Sequence, residues 1–150
     1  MKTLQKWKRA IVIGVLMAVS QTLGAVDAAS EVVLVVSPQA HISSLTAEQV
    51  TDIFLGKTAT FPNGVRVIPI DQEEGTLERE AFYKEYIGKT AAQLRIYWSK
   101  IVFTGKGYPP TEVAPPDRVK RVVRDNPNYI GYINRRDVDG SVKVIVVQRP

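Results

Sequence analysis

Residues 44–82 read SLTAEQVTDIFLGKTATFPNGVRVIPIDQEEGTLEREAF, and the patterns in this stretch indicate the fold class. Thr46 is followed three residues later by Gln49, a capping-box pattern that predicts the start of a helix. Gly56 predicts where that helix ends, because glycine adopts the left-handed conformation that closes many helices. The first third of the stretch therefore predicts one short helix.

The remainder of the same stretch predicts a strand and a second helix. Val65–Ile70 is mostly apolar and β-branched, as strands are, and Pro69 places the end of this strand at a sheet edge or a break. Gly75 and Thr76 precede a segment whose apolar residues recur at helical spacing. Helices that alternate with strands in this way indicate a single α/β domain.

Further strands and helices are predicted on both sides of residues 44–82. Glu31–Val36 is a continuous β-branched run, which predicts a strand buried on both faces, as in a parallel sheet. Thr90 and Gln93 form a second capping box, which predicts a helix with Tyr97 and Trp98 on its buried side. The remaining predicted elements are a loop at Thr104–Pro116, a helix at Asp117–Arg124, and strands at Tyr129–Asn134 and Ser141–Val147.

Residues 1–28 predict a secretory signal peptide rather than a part of the fold. A basic segment precedes an apolar run of ten residues (10–19), and small residues follow. The run is shorter than the roughly 20 residues that span a bilayer. We predict cleavage after Ala28, with cleavage after Ala25 or an uncleaved N-terminal anchor as alternatives. The expected outcome is a single domain at 29–150, periplasmic and without stable membrane insertion.

The composition excludes several kinds of function. The chain has no cysteine and one histidine, His41, so it offers no thiolate metal site and no multi-histidine site. Without the four basic residues and one acidic residue of 1–28, the net charge falls from +5 to +2, and we expect no nucleic-acid partner. The Gly-Lys-Thr triplets lack the first glycine of a phosphate-binding loop. No nucleophile–base pair is evident, so we predict a protein that is not an enzyme and holds no metal or cofactor.

The stretch at 44–82 resembles the phosphate-type periplasmic solute-binding proteins of ABC transporters, in the type II periplasmic-binding-protein superfamily. Phe61 stands where that family usually carries tryptophan. The resemblance covers most of residues 31–147 and implies an α/β fold of a single lobe, with a mixed sheet flanked by helices. The matching motifs are Ser44-Leu45-Thr46, Ile53-Phe54-Leu55-Gly56-Lys57, Asn63-Gly64, Glu74-Gly75, Arg79, Ala81-Phe82 and Tyr129-Ile130-Gly131-Tyr132-Ile133.

Two departures from the family limit what the resemblance implies. Residues 29–150 number 122 and correspond to one lobe of a receptor that closes two lobes around its solute. The family's Ser-Gly-Thr anion loop falls on Thr76, Leu77 and Glu78, of which only Thr76 suits an oxyanion, together with the nearby Arg79. The oxyanion-binding residues implied by the resemblance are Ser43, Ser44, Thr46, Gly75, Thr76 and Arg79.

The resulting hypothesis is an exported, non-enzymatic solute-binding protein related to phosphate receptors, which binds phosphate or another small oxyanion weakly. Half a site open to water is expected to reach millimolar affinity at best, and a homodimer or a partner protein would have to supply the other wall. The alternative is a periplasmic interaction or sensor module that has lost its solute and contacts an envelope protein.

Overall fold

The elements of the fold follow the order that the patterns predict, with two short strands added and one predicted strand divided in two. A computed structural model describes residues 31–149, so the predicted signal peptide at 1–28 lies outside the described residues. A π-helical turn at Tyr83–Ile87 continues the second helix. The described elements are β1 (Val32–Val36), β2 (Ser44–Thr46), α1 (Ala47–Phe54), β3 (Ile68–Asp71), α2 (Leu77–Phe82), α3 (Ala91–Phe103), β4 (Thr111–Glu112), α4 (Pro116–Arg124), β5 (Tyr129–Asn134), β6 (Lys143–Val144) and β7 (Val146–Gln148).

Five strands form a mixed sheet in the order β4–β3–β5–β1–β6. β3 runs parallel to both of its neighbours, whereas β1 runs antiparallel to β5 and β6, with Leu34 opposite Tyr132. All five residues of β1 are buried, as predicted, but the expectation of a parallel strand is wrong. The β-branched run determines burial on both faces, while strand direction depends on partners more than ninety positions away, which the run does not encode.

The core lies on both faces of this sheet because side chains alternate along each strand. Leu34 of β1 packs in one cluster with residues of α1, α2 and α3, and Val33 packs in a second cluster with α4. Gly131 in β5 permits the close approach of α4, since a Cβ atom there would lie 2.8 Å from Val119 Cγ1. The three helices α1–α3 therefore cover one face of the sheet, and α4 covers the other.

Both predicted capping boxes are confirmed. The Thr46 hydroxyl accepts a hydrogen bond from the backbone amide of Gln49 at 3.2 Å, and the Gln49 side-chain oxygen accepts one from the backbone amide of Thr46 at 2.9 Å. Thr90 and Gln93 make the same reciprocal pair at the start of α3, at 3.3 and 2.9 Å. Each box satisfies two backbone donors that the first helical turn leaves free, which fixes where α1 and α3 begin.

The predicted strand boundaries need two corrections. The strand expected at Ser141–Val147 divides at Ile145 into β6, which pairs with β1, and β7, which pairs in parallel with β2 in a separate two-stranded sheet. The strand expected from Val65 begins at Ile68. Pro69 lies where β3 is paired with β5 but not yet with β4, which is the break that its missing amide predicts.

Candidate functional site

A buried carboxylate, Asp71, lies at the carboxyl end of β3. The residue is 1% exposed, and its Oδ2 accepts a hydrogen bond from the Tyr83 hydroxyl at 2.7 Å. Its Oδ1 accepts one hydrogen bond from the backbone amide of Gln72 at 2.8 Å and another from the Tyr132 hydroxyl. Burial and the adjacent Asp71 charge raise the pKa of both phenols above their usual value of 10.0, so both remain protonated donors.

The guanidinium of Arg79, in the first turn of α2, is surrounded by carboxylates. Its Nε donates to Asp71 Oδ2 at 3.2 Å, its Nη2 lies 3.4 Å from Glu112 and its Nη1 lies 3.8 Å from Glu74. The side chain is only 12% exposed. Burial disfavours the charge of Arg79, but Asp71, Tyr83 and Glu112 outweigh that effect and its pKa is raised. Each of the three guanidinium nitrogens therefore already faces an internal acid.

The turn before α2 has the geometry that the sequence predicts. Gly75 adopts a φ of +91°, a conformation that side chains rarely tolerate, and Thr76 is the N-cap residue. The Thr76 hydroxyl donates to the carbonyl of Glu73 at 3.0 Å and makes no capping bond to α2. Leu77, the first helical residue, is 71% exposed. The rim of the predicted site thus combines one threonine, one apolar side chain and backbone amides.

The other three predicted site residues lie elsewhere along the chain, at β2. The hydroxyl of Thr46 is used to cap α1, Ser44 pairs with Val146 of β7, and the carbonyl of Ser43 accepts a hydrogen bond from the Val146 amide. These contacts give all three residues a role in local structure. Any part that they take in a ligand site remains a prediction.

A cavity of about 420 Å³ opens between α2, its π-helical continuation and the start of α3. Its wall includes Gly75 and Arg79, and it does not include Ser43, Ser44 or Thr46. The structure therefore brings Gly75 and Arg79 to one concave surface, whereas Thr76 and the three residues at β2 are not part of its wall.

Sequence reasoning did not identify Asp71, Tyr132 and Glu112 as parts of this site. Acids that precede a helix ordinarily act as favourable charges near the helix start, and only burial sets Asp71 apart from its acidic neighbours in the sequence. Its partner Tyr132 lies 61 positions away, in the YIGYI motif of β5. A polar residue that directly follows a buried strand was the only available signal, and it does not identify the distant partner.

A metal site or a membrane-spanning helix would each bear on function. No group of three or more histidine, cysteine, aspartate or glutamate side chains in residues 31–149 is arranged to hold a metal ion. Within the same range, no helix combines the length and the apolarity that a bilayer crossing requires.

The comparisons with known proteins define a class. No protein-family model and no curated protein matches the sequence. The fold, however, is that of phosphate-type substrate-binding proteins of ABC transporters, and the predicted α/β single lobe with a mixed sheet is confirmed.

Three solved structures illustrate this similarity. A protein from Clostridium perfringens, solved with bound phosphate and described as a phosphate ABC transporter substrate-binding protein, is 25% identical and has a TM-score of 0.61 over 77% of this chain and 44% of its own. An ABC-type phosphate transport receptor from Vibrio cholerae is 21% identical, with a TM-score of 0.62 over 77% and 45%. PstS from Borrelia burgdorferi is 14% identical, with a TM-score of 0.59 over 78% and 47%. The chain spans less than half the length of each.

Proposed function

We propose that the protein is an exported, non-enzymatic solute-binding lobe that binds phosphate or another small oxyanion weakly. The observation that carries this proposal is the shared fold with phosphate receptors over 77% of the chain. The proposed ligand atoms are the Gly75 backbone amide, the Thr76 hydroxyl and the Arg79 guanidinium. The Thr76 backbone amide is not among them, because it donates to the Glu73 carbonyl at 3.3 Å. Ser43, Ser44 and Thr46 belong to the proposal only if the site extends to β2. Phosphate receptors of this type are exported, so we propose a periplasmic location as well.

The charges around Arg79 set the proposed affinity. Charge-assisted hydrogen bonds contribute about 1.5–3 kcal/mol each, and association costs at least about 4 kcal/mol. An anion would also meet the carboxylates of Asp71, Glu74 and Glu112. Because Arg95 pairs with Glu74, these three acids and the two arginines leave a net charge of −1 in the cluster. A binding free energy near −4 kcal/mol, or about 1 mM, is the most that this balance allows. A second copy of the chain or an envelope protein could supply further contacts.

Amide chemical shifts test the proposal at the residues concerned. We expect phosphate, titrated from about 1 to 30 mM against sodium chloride of matched ionic strength, to shift the amides of Gly75 and Thr76 with millimolar dissociation constants. Arg79→Gln should abolish the response. Arg66→Gln is the matched control, because Arg66 is exposed and lies outside the α2 turn. The absence of a phosphate-specific shift in the wild-type protein would remove the oxyanion proposal.

A second candidate function is an interaction module that has lost its solute. The exposure of Leu77 favours it, because an apolar side chain stands where an anion site would present polar groups. A homodimer or an envelope protein would then cover this rim. Sedimentation velocity of the wild type and of Leu77→Ser distinguishes a self-association at this site from a monomer.

A further inference from the structure

The third helix exposes apolar side chains on the side that faces away from the core. Its inner side packs Leu94 and Trp98, which are 3% and 8% exposed, into the main cluster. Ile96 and Phe103 are 74% and 92% exposed. They are seven residues apart and therefore lie on one side of the helix, opposite the buried pair. Two large apolar side chains of α3 are thus exposed on the same side of the helix.

Basic residues accompany this apolar side, and acidic residues are absent from the segment. Residues 88–111 contain four basic residues and no aspartate or glutamate. Lys100 lies between Ile96 and Phe103 on the exposed side of α3, and Lys106 lies in the loop that follows. That loop also holds Tyr108, which is 81% exposed. Arg95 pairs with Glu74 from outside the segment, so the positive charge of this side is assigned to Lys100 and Lys106.

We propose that this surface, defined by Ile96, Lys100, Phe103 and Lys106, docks the protein onto an anionic lipid bilayer. A bilayer interface accepts projecting aromatic and aliphatic side chains and attracts lysines, and it needs no shape-complementary groove. Phe103 projects from a convex helix rather than lining a cleft, which suits a fluid surface better than a folded partner. The docking is peripheral, and it does not depend on oxyanion binding at α2.

Vesicle co-sedimentation of the full chain tests this docking. We expect binding to vesicles that contain phosphatidylglycerol and much weaker binding to pure phosphatidylcholine, with a loss at high salt. The Ile96→Ser/Phe103→Ser double variant should reduce the partition by about 10-fold or more, since it removes the apolar contact. Lys100→Gln/Lys106→Gln should reduce it by about 30-fold, which is the ordinary effect of two basic side chains near an anionic surface.

Matched controls separate this surface from general charge and apolarity. Arg118→Gln/Arg121→Gln removes two exposed basic residues from α4, on the opposite face of the sheet, and Val146→Thr alters an exposed apolar residue of β7. Both controls should bind as the wild type does. Any contribution of residues 1–30 is common to all variants, so the ratio of variant to wild type is the measured quantity.

The proposal is overturned if the wild type does not bind anionic vesicles, or if the α3 variants and the controls bind equally. It is also overturned if the α3 variants abolish a self-association of the chain while vesicle binding stays unchanged, because the surface would then be a protein interface. A phosphate response at Gly75 and Thr76 would leave this test unaffected, and the failure of that response would not decide it.

Discussion

Replacing Asp71 by asparagine tests whether Arg79 is held by the protein's own carboxylates. The pair is buried, with Asp71 1% and the Arg79 side chain 12% exposed, and its Nε–Oδ2 distance is 3.2 Å. Removing one partner of a buried ion pair costs about 3–5 kcal/mol. Glu74 and Glu112 stay close to the guanidinium, so we expect the lower end, about 3 kcal/mol. In a domain of this size the midpoint of thermal unfolding should fall by about 12 °C.

The same change should make Arg79 available to an external anion. An anion on the solvent side of the guanidinium would lie about 6.5 Å from the Asp71 carboxylate, and at an effective dielectric constant of about 20 the repulsion is about 2.5 kcal/mol. Removing this repulsion should lower the dissociation constant for phosphate about 60-fold, for example from about 5 mM to about 0.1 mM. Phosphate at about 10 mM should then raise the free energy of unfolding of the variant by about 2.7 kcal/mol, which nearly offsets the destabilisation by the substitution. The same concentration should raise that of the wild type by about 0.6 kcal/mol.

Chemical unfolding with and without phosphate measures both effects in one experiment. Asp117→Asn is the matched control, because that carboxylate pairs with Arg121 on α4 and is exposed. Glu112→Gln, which removes a half-exposed partner of Arg79, provides a milder variant if Asp71→Asn does not fold. Equal stabilisation of wild type and variants by phosphate would show that Asp71 does not compete with an anion for Arg79. An Asp71→Asn protein as stable as the wild type would show that the ion pair does not stabilise the fold.

The remaining predictions concern packing, capping and pH. Gly131→Ala should cost about 1–3 kcal/mol in urea unfolding, because its Cβ would meet α4, whereas Gly140→Ala, with no atom within 4 Å, should cost much less; equal losses would contradict the packing argument. Thr90→Ala should destabilise the protein by about 1 kcal/mol and reduce amide-exchange protection in the first turn of α3 but not in α4. Because the pKa values of Tyr83 and Tyr132 are raised in the folded protein, only the unfolded phenols ionise just above pH 10.0. The free energy of unfolding should therefore be constant below pH 10.0 and fall as the pH rises above it, and Tyr132→Phe should reduce that fall. A free energy of unfolding that does not depend on pH above 10.0 would contradict the raised pKa values.

Local patterns predicted the helices well because their signals lie within a few residues. The capping boxes at Thr46 and Thr90 and the glycine at Gly56 mark helix ends that the structure confirms. The strands β2 and β4 were not predicted. They have three and two residues and form through pairing with distant strands, so they carry no periodicity of their own.

The site was predicted less completely than the fold for the same reason. The resemblance implies Gly75, Thr76 and Arg79, which lie within five positions, and their role in binding an anion stays a prediction. The charge balance at Arg79 depends on Asp71 and on Glu112, and the latter comes from β4, beside the end of β3. Which acids surround a guanidinium is a property of strand order, and a single sequence does not determine strand order.

The hydrogen-bonded cluster of Asp71, Arg79, Tyr83 and Tyr132 has a structural role that is independent of any solute. It joins the end of β3 to α2 and β5, and the Tyr132 ring stacks on Phe82 at 4.1 Å. A lobe that needs this cluster for stability would keep it with or without an anion to bind. The shared fold therefore supports the relationship to phosphate receptors, whereas oxyanion binding must be judged from the charges at Arg79. Those charges favour an internal carboxylate over an external phosphate, and the phosphate response of Asp71→Asn measures that preference directly.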